Sequence, residues 1–203
     1  MATRRTEPAD LRQRILDTSR AVLDELGAAG LSLREVARRA GVTHQAPYHH
    51  FADRESILAE LVTQGFGELE RRLAKAHARG ADASATLVAS GLAYVVFALD
   101  NPGVFRIMFR TDLCDHARFP QTQAAGQRAR GELLHLVRLL HGGETGPADE
   151  ALATLHWAQV HGLACLLLDG PLGEKMQSRR ERLAFVRGAV ALHASRVLGP
   201  APT

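Results

Sequence analysis

Two cysteines in 203 residues, Cys114 and Cys165, with no CxxC spacing, give neither a disulfide framework nor a thiolate metal knuckle. Long apolar runs are missing too. The longest, 91–99 and 162–168, fall well short of the roughly 20 residues that a membrane span requires. The polar opening Met1-Ala2-Thr3-Arg4-Arg5-Thr6-Glu7-Pro8 is followed by no apolar h-region, so no secretory signal is read there. These absences lead to the expectation of a cytoplasmic chain with reduced thiols and no membrane partner. Strand-like alternation and hairpin signals are absent as well, which points to an all-α fold. Glycine and proline are modest and charged residues make up 23% of the chain, so wholesale disorder is not expected. A hydrophobic share of 46% suffices for a substantial core. The net charge of +3 permits nucleic-acid binding without arguing for it, because a local basic patch matters more than the sum.

Catalytic and metal signatures are also lacking. Ten histidines invite a metal site, but His49 and His50 are adjacent and diverge on a helix. His156 and His161 stand five apart and His135 and His141 six apart, away from the i, i+4 spacing that lets two imidazoles converge. Cys114-Asp115-His116 are consecutive, so their side chains do not meet at one point, and no oxyanion motif accompanies them. The expectation is therefore no enzyme, no metal and no cofactor.

What the chain does contain is helical periodicity. Leu11, Ile15, Val22, Leu23 and Leu26 share one face of a first helix, which Gly27 and Gly30 are expected to stop. Ser32 and Glu35 have capping-box spacing for a short second helix with Leu33, Val36, Ala37 and Ala40 inward. Thr43 is suited to cap a short third helix, and Asp53 a fourth that runs through Leu73 toward Gly80. Further on, the pattern predicts helices over about 84–99 and 103–110, with Asn101-Pro102 as cap and first turn. An irregular connection spans 112–120, and a charged helix then reaches about His141. Two long helices, about 149–168 and 177–198, close the chain around Gly170-Pro171-Leu172-Gly173.

The informative stretch is LREVARRAGVTHQAPYHHF, residues 33–51. Two short helices crossing steeply need a small residue at the crossing, Ala37, and a residue tolerant of positive φ in the turn, Gly41. Val42, Pro47 and Phe51 then point inward. His44, Gln45, Tyr48 and His49 remain on the solvent side, able to reach base edges or phosphates. Proline inside a helix costs about 3 kcal/mol, so Pro47 is expected within the first turn, where at most one hydrogen bond is lost.

This segment resembles the DNA-binding domain of the TetR (tetracycline-repressor-like) family. The resemblance rests on Leu33, Val36, Ala37, Ala40, Gly41, Val42, Tyr48 and Phe51, followed by Asp53-Arg54-Glu55-Ser56-Ile57-Leu58, and covers about residues 10–60. AYVVFALDNPGVFRIMF at 93–109, with Trp157-x-x-x-His161-Gly162, is similar to a WHG-type regulatory domain of that family. The resemblance implies a helix-turn-helix domain over residues 1–55, with a disordered N-terminal arm carrying Arg4 and Arg5. It implies a helical ligand-binding and dimerisation domain over residues 56–203.

By the same resemblance, Arg34, Thr43, His44, Gln45, Tyr48, His49 and Arg54 match DNA-contact positions. Pro47 departs from the family pattern, where Leu or Val is common, and a redirected recognition helix is one consequence. Tyr94, Phe97, Phe105, Met108, Phe109, Trp157 and His161 are the candidates to line an effector pocket, although a packed core would hold the same types. The implied function is a homodimeric, repressor-type regulator of a near-palindromic double-stranded DNA operator, released by a small molecule. The alternative is a helical ligand- or protein-binding module whose helix-turn-helix no longer recognises DNA.

Overall fold

The helical periodicity is realised nearly throughout. The computed structural model describes residues 8–141 and 146–198. The described residues form α1 (Pro8–Gly30), α2 (Leu33–Ala40), α3 (Arg54–His77), α4 (Ala83–Asp100), α5 (Pro102–Met108), α6 (Pro120–His141), α7 (Pro147–Leu168), α8 (Pro171–Lys175) and α9 (Arg179–Val197). Short 3₁₀ turns occupy Ala46–His49 and His116–Arg118, and no strand occurs among the described residues. The fold is all-α. Arg4 and Arg5 of the expected arm, and most of the expected 142–147 loop, lie outside the described residues. Two compact units result: one runs up to Gly65 and includes Asn101–Ala124, and the other combines Phe66–Asp100 with the residues from Ala125 on.

In the first unit α1 buries Ile15, Leu16, Val22 and Leu23 and packs against α2 and α5. Gly27 does not stop α1 but kinks it with φ 65°, and the helix runs on to Gly30. The kink has a cost in pattern: Leu26, expected inward, is 50% exposed. Polar groups on α1 fix its neighbours. The Arg20 guanidinium donates to Asn101 Oδ1 at 2.9 Å, and Asp24 Oδ1 accepts the Gly103 amide at 2.7 Å. Asn101 makes no side-chain cap, because its oxygen is committed to Arg20 and not to the first turn of α5.

In the second unit α4 packs against α9 and α7, with Gly91 at the crossing, close to Val160 and Val190. Both α4 and α7 are long and apolar enough to cross a membrane by length and composition. That differs from the reading of uninterrupted runs, since a helix dilutes isolated Ser, Thr, His and Gln among apolar turns. The linker read at 170–173 instead opens the short α8, which runs on to Lys175.

Several imidazoles are buried in this unit. His77 lies between Glu132 (2.9 Å) and Ser90 (3.1 Å), and His156 and His193 pair at 3.0 Å. Burial pushes the pKa of His77 below the ordinary 6.5, with Glu132 opposing, and burial does the same for His161 and His193. Below pH 6.5 the unfolded chain therefore takes up protons that the folded chain refuses. This contribution is fully present above 6.5 and is lost as pH falls. Thermal melts at about pH 7.5 and about pH 5.5 should show the lower midpoint at the acid value.

Candidate nucleic-acid interface

Ser32 opens α2 by accepting the Glu35 amide at 3.1 Å. The Glu35 carboxylate does not reciprocate as a capping box. It accepts from Arg38 at 2.7 and 2.8 Å and from Arg39 at 2.7 Å, which holds its pKa down at about 2. Arg39 also reaches Glu25 of α1 at 2.5 Å. The helix ends at Gly41 in the left-handed region, φ 64° and ψ 39°, where a side chain would be strained. From there the Val42 amide closes back on Ala37 O at 3.1 Å.

The segment after the turn departs from the sequence reading. Thr43 does not cap it; residues 46–49 form a 3₁₀ turn preceded by Gln45. The reason is Pro47. In an α-helix capped by Thr43, the Pro47 nitrogen would have to donate to Thr43 O, and its ring would meet that carbonyl instead. Thr43 O accepts from the Ala46 amide at 3.0 Å, Gln45 O from Tyr48 at 3.1 Å, and Pro47 O from His50 and Phe51 at 3.0 and 2.9 Å. Proline near the start of such a turn loses nothing that the turn needs.

Pro47 and Phe51 are buried as expected, while Val42 is only half-buried. The outer side carries exposed Thr43, His44, Gln45, His49 and Tyr48, the last 54% exposed. Gln45 Nε2 lies 3.1 Å from His44 Nε2, the amide donating. Exposed Arg34 on α2 lines a depression of about 380 Å³ together with Arg38 and His44. Arg38 was missed in the sequence, yet its i, i+4 spacing from Arg34 places both on one helix face.

Arg54 behaves differently from its neighbours. Its guanidinium donates inward to Ala28 O at 2.7 Å and Leu31 O at 3.0 Å. It ties the start of α3 to the end of α1, and Asp53 Oδ1 caps the same start by accepting the Ser56 amide at 2.7 Å. Arg14 similarly donates to Ala40 O at 2.5 Å, and Arg12 stacks 5.2 Å from the Phe51 ring. The outward set is thus mounted on a rigidly bonded frame, the geometry of a helix-turn-helix whose second element is a single tight turn.

Residues 15–61 match the bacterial regulatory proteins of the tetR family, and residues 87–192 match the tetracyclin repressor-like C-terminal domain. The chain belongs to the TetR family. It is a transcription regulator with an N-terminal DNA-binding helix-turn-helix. Over 67 residues this TetR-family chain is 39% identical to the HTH-type transcriptional regulator AcrR of Shigella flexneri, a match covering 32% of this chain and 31% of AcrR. A protein of unknown function from Rhodococcus sp. RHA1 is similar in structure at 28% identity and TM-score 0.77, over 98% of this chain and 100% of the other. FadR of Bacillus subtilis, a transcriptional regulator solved in complex with stearoyl-CoA, shares the fold at 14% identity and TM-score 0.71, over 91% and 98% of the two chains.

The residues expected at an effector pocket in this TetR-family regulator do not form one group. Tyr94, Trp157 and His161 meet: the indole donates to the Tyr94 hydroxyl at 3.0 Å, which lies 2.9 Å from His161 Nδ1. Burial keeps both partners neutral, raising the Tyr94 pKa above its ordinary value and lowering that of His161. Phe97 is fully buried with Arg72 5.7 Å from its ring centroid. Phe105, Met108 and Phe109 belong to the first unit, where Phe105 and Phe109 stack edge to face at 5.8 Å. The space beside Tyr94 is about 10 Å³, bordered by Ser90, Gly91, His156 and Gln159, enough for about one water. Helical spacing revealed which residues are apolar and inward, but not which unit each one fills.

Proposed function

We propose that the chain is a dimeric, repressor-type regulator that grips a near-palindromic operator with two helix-turn-helix heads and lets go when a small molecule binds. The supporting observation is the outward set Arg34, Thr43, His44, Gln45, Tyr48 and His49, exposed together on a frame whose other polar groups are bonded inward. In this reading residues 1–55 read DNA and residues 56–203 pair and sense. Arg54 acts on DNA through the frame it braces. FadR in complex with stearoyl-CoA supports a small-molecule effector for a regulator of this fold. The bonded group of Tyr94, Trp157 and His161 is the proposed sensor. An effector there has to repack it, which gives the differential affinity that a switch requires.

Dimerisation is proposed through α7 and α9, which expose Leu155 (63%), Leu166 (43%), Phe185 (41%) and Leu192 (60%). Large apolar side chains at such exposure mark an interaction surface when they cluster. The double variant Leu155→Glu/Leu192→Glu should halve the mass measured by light scattering while keeping its helical circular dichroism. Unchanged mass would place the interface elsewhere.

The operator reading is tested by selecting bound sequences from a random DNA pool at two salt concentrations. Enrichment of a near-palindrome with half-sites about one helical turn apart, or a multiple, and affinity falling steeply with salt, is the expected result. Enrichment of nothing would move the chain to the alternative, a binding module whose head no longer recognises DNA.

A further inference from the structure

α4 is apolar on every side, whereas a helix at the surface normally is not. Its inner face is the core of the second unit, with Leu87, Tyr94, Val95, Phe97 and Ala98 buried. Its outer face carries Ala85, Val88, Ala89, Leu92, Ala93 and Val96, all left exposed or half-buried. That face is the floor of an open groove of about 930 Å³, walled by the C-terminal turns of α3 and by Arg187 and Ala191 of α9. The alanines at every fourth position make the floor a trough, and from Ala85 to Val96 it is about 16 Å long at roughly 1.5 Å per residue.

The rim is cationic. Lys75, Arg79 and Arg187 are exposed and have no ion-pair partner among the described residues. Arg72 is not available in the same way, since Glu68 (2.5 Å) and Asp100 (2.7 Å) hold it. Asp82 is the single carboxylate of the lining, and its Oδ1 accepts the Ala85 amide at the start of α4.

We propose that this groove binds an amphipathic organic anion, its elongated apolar body lying along α4 and its carboxylate or phosphate against Lys75, Arg79 and Arg187. The volume is that of a small-molecule site. A neutral hydrocarbon would leave the cations without a partner, and a compact hydrophilic anion would leave the floor wet. A second copy seated here on a two-fold axis would bring the same cations face to face, so it is the poorer occupant. The site is separate from the Tyr94 group and does not depend on the operator reading.

Titration calorimetry of the full chain with myristate below its micelle concentration tests this, with tetradecanol and acetate as the uncharged and tail-less controls. Saturable myristate binding is expected, at least about tenfold tighter than either control, the scale of one charge-assisted hydrogen bond. Lys75→Glu/Arg79→Glu, both at exposed positions, should weaken it about tenfold or more. Arg71→Glu, a single charge reversal on the solvent side of α3, should not. Sedimentation with phosphatidylglycerol vesicles separates a dissolved amphiphile from a lipid surface. Co-sedimentation without binding of free myristate overturns the proposal. So does absent myristate binding, binding that survives the charge reversal, or binding lost only in Trp157→Phe.

Discussion

Replacing Gly103 by alanine should destabilise the protein by about 3 kcal/mol, at the upper end of overpacking substitutions, and lower its melting midpoint by roughly 6–12 °C. A Cβ at this position would lie 2.6 Å from Asp24 Oδ1, 2.7 Å from the Leu23 carbonyl carbon and 2.8 Å from the Asp24 nitrogen. A side-chain obstacle can rotate away. Two of these three atoms are α1 backbone, so relief requires α5 to move off α1. That movement stretches the 2.7 Å bond from the Gly103 amide to Asp24 and the 2.9 Å bond from Arg20 to Asn101, two residues before Gly103. Gly67, inside α3 with nothing within 4 Å of an added Cβ, is the matched control. Gly67→Ala should leave stability unchanged or raise it by about 0.5–1 kcal/mol through helix propensity. Melts followed by circular dichroism compare the two. An unchanged melt for Gly103→Ala would mean that α5 does not seat on α1 at this glycine.

That contact also shows where the sequence stops being informative. Asn101-Pro102 reads as a helix start and is one, because a proline in the first turn is a local signal. That Gly103 follows it because α1 passes within van der Waals range is a tertiary fact, with no trace in the spacing. The same division runs through the rest of the chain. Gly41 was legible because a left-handed turn residue between two apolar periodicities is specified within ten residues. Thr43 was misread as a cap because the competing effect, the ring of Pro47 against the carbonyl at 43, decides between α and 3₁₀ geometry. Leu26 follows the helical period up to a kink that the period does not encode. Tyr94, Trp157 and His161 were legible as inward-facing groups, and their hydrogen bonding explains why polar atoms are tolerated there. Phe105, Met108 and Phe109 have the same apolar signature yet fill another unit. The groove on α4 escaped entirely, since its floor looks like surplus core and its cations come from the end of α3, the turn after it and α9.

Tyr48→Ala should weaken operator binding by about ten- to a hundredfold, the range spanned by 1–3 kcal/mol for a good base-edge contact, while mass and helicity stay as in the parent. The side chain is 54% exposed and makes no contact on which the frame relies; its backbone amide alone closes the turn onto Gln45 O. A large aromatic held out at the tip of a bonded turn contributes little to folding, so its loss reports on DNA. Arg54→Ala supplies the contrast. Its guanidinium holds the Ala28 and Leu31 carbonyls, and removing it leaves acceptors near the α1–α2 junction without their donor. The cost should fall on stability, at about 1–3 kcal/mol, with operator affinity falling in proportion to the loss of folded head. Arg34, exposed on α2, should do the reverse: its removal should lower the slope of affinity against salt by about one phosphate contact without moving the melt. Affinity titrations at several salt concentrations, set beside melts of the same variants, separate the three roles. If Tyr48→Ala binds the operator as tightly as the parent, the 3₁₀ turn imposed by Pro47 has aimed Tyr48 away from the groove, and base reading falls to His44, Gln45 and His49.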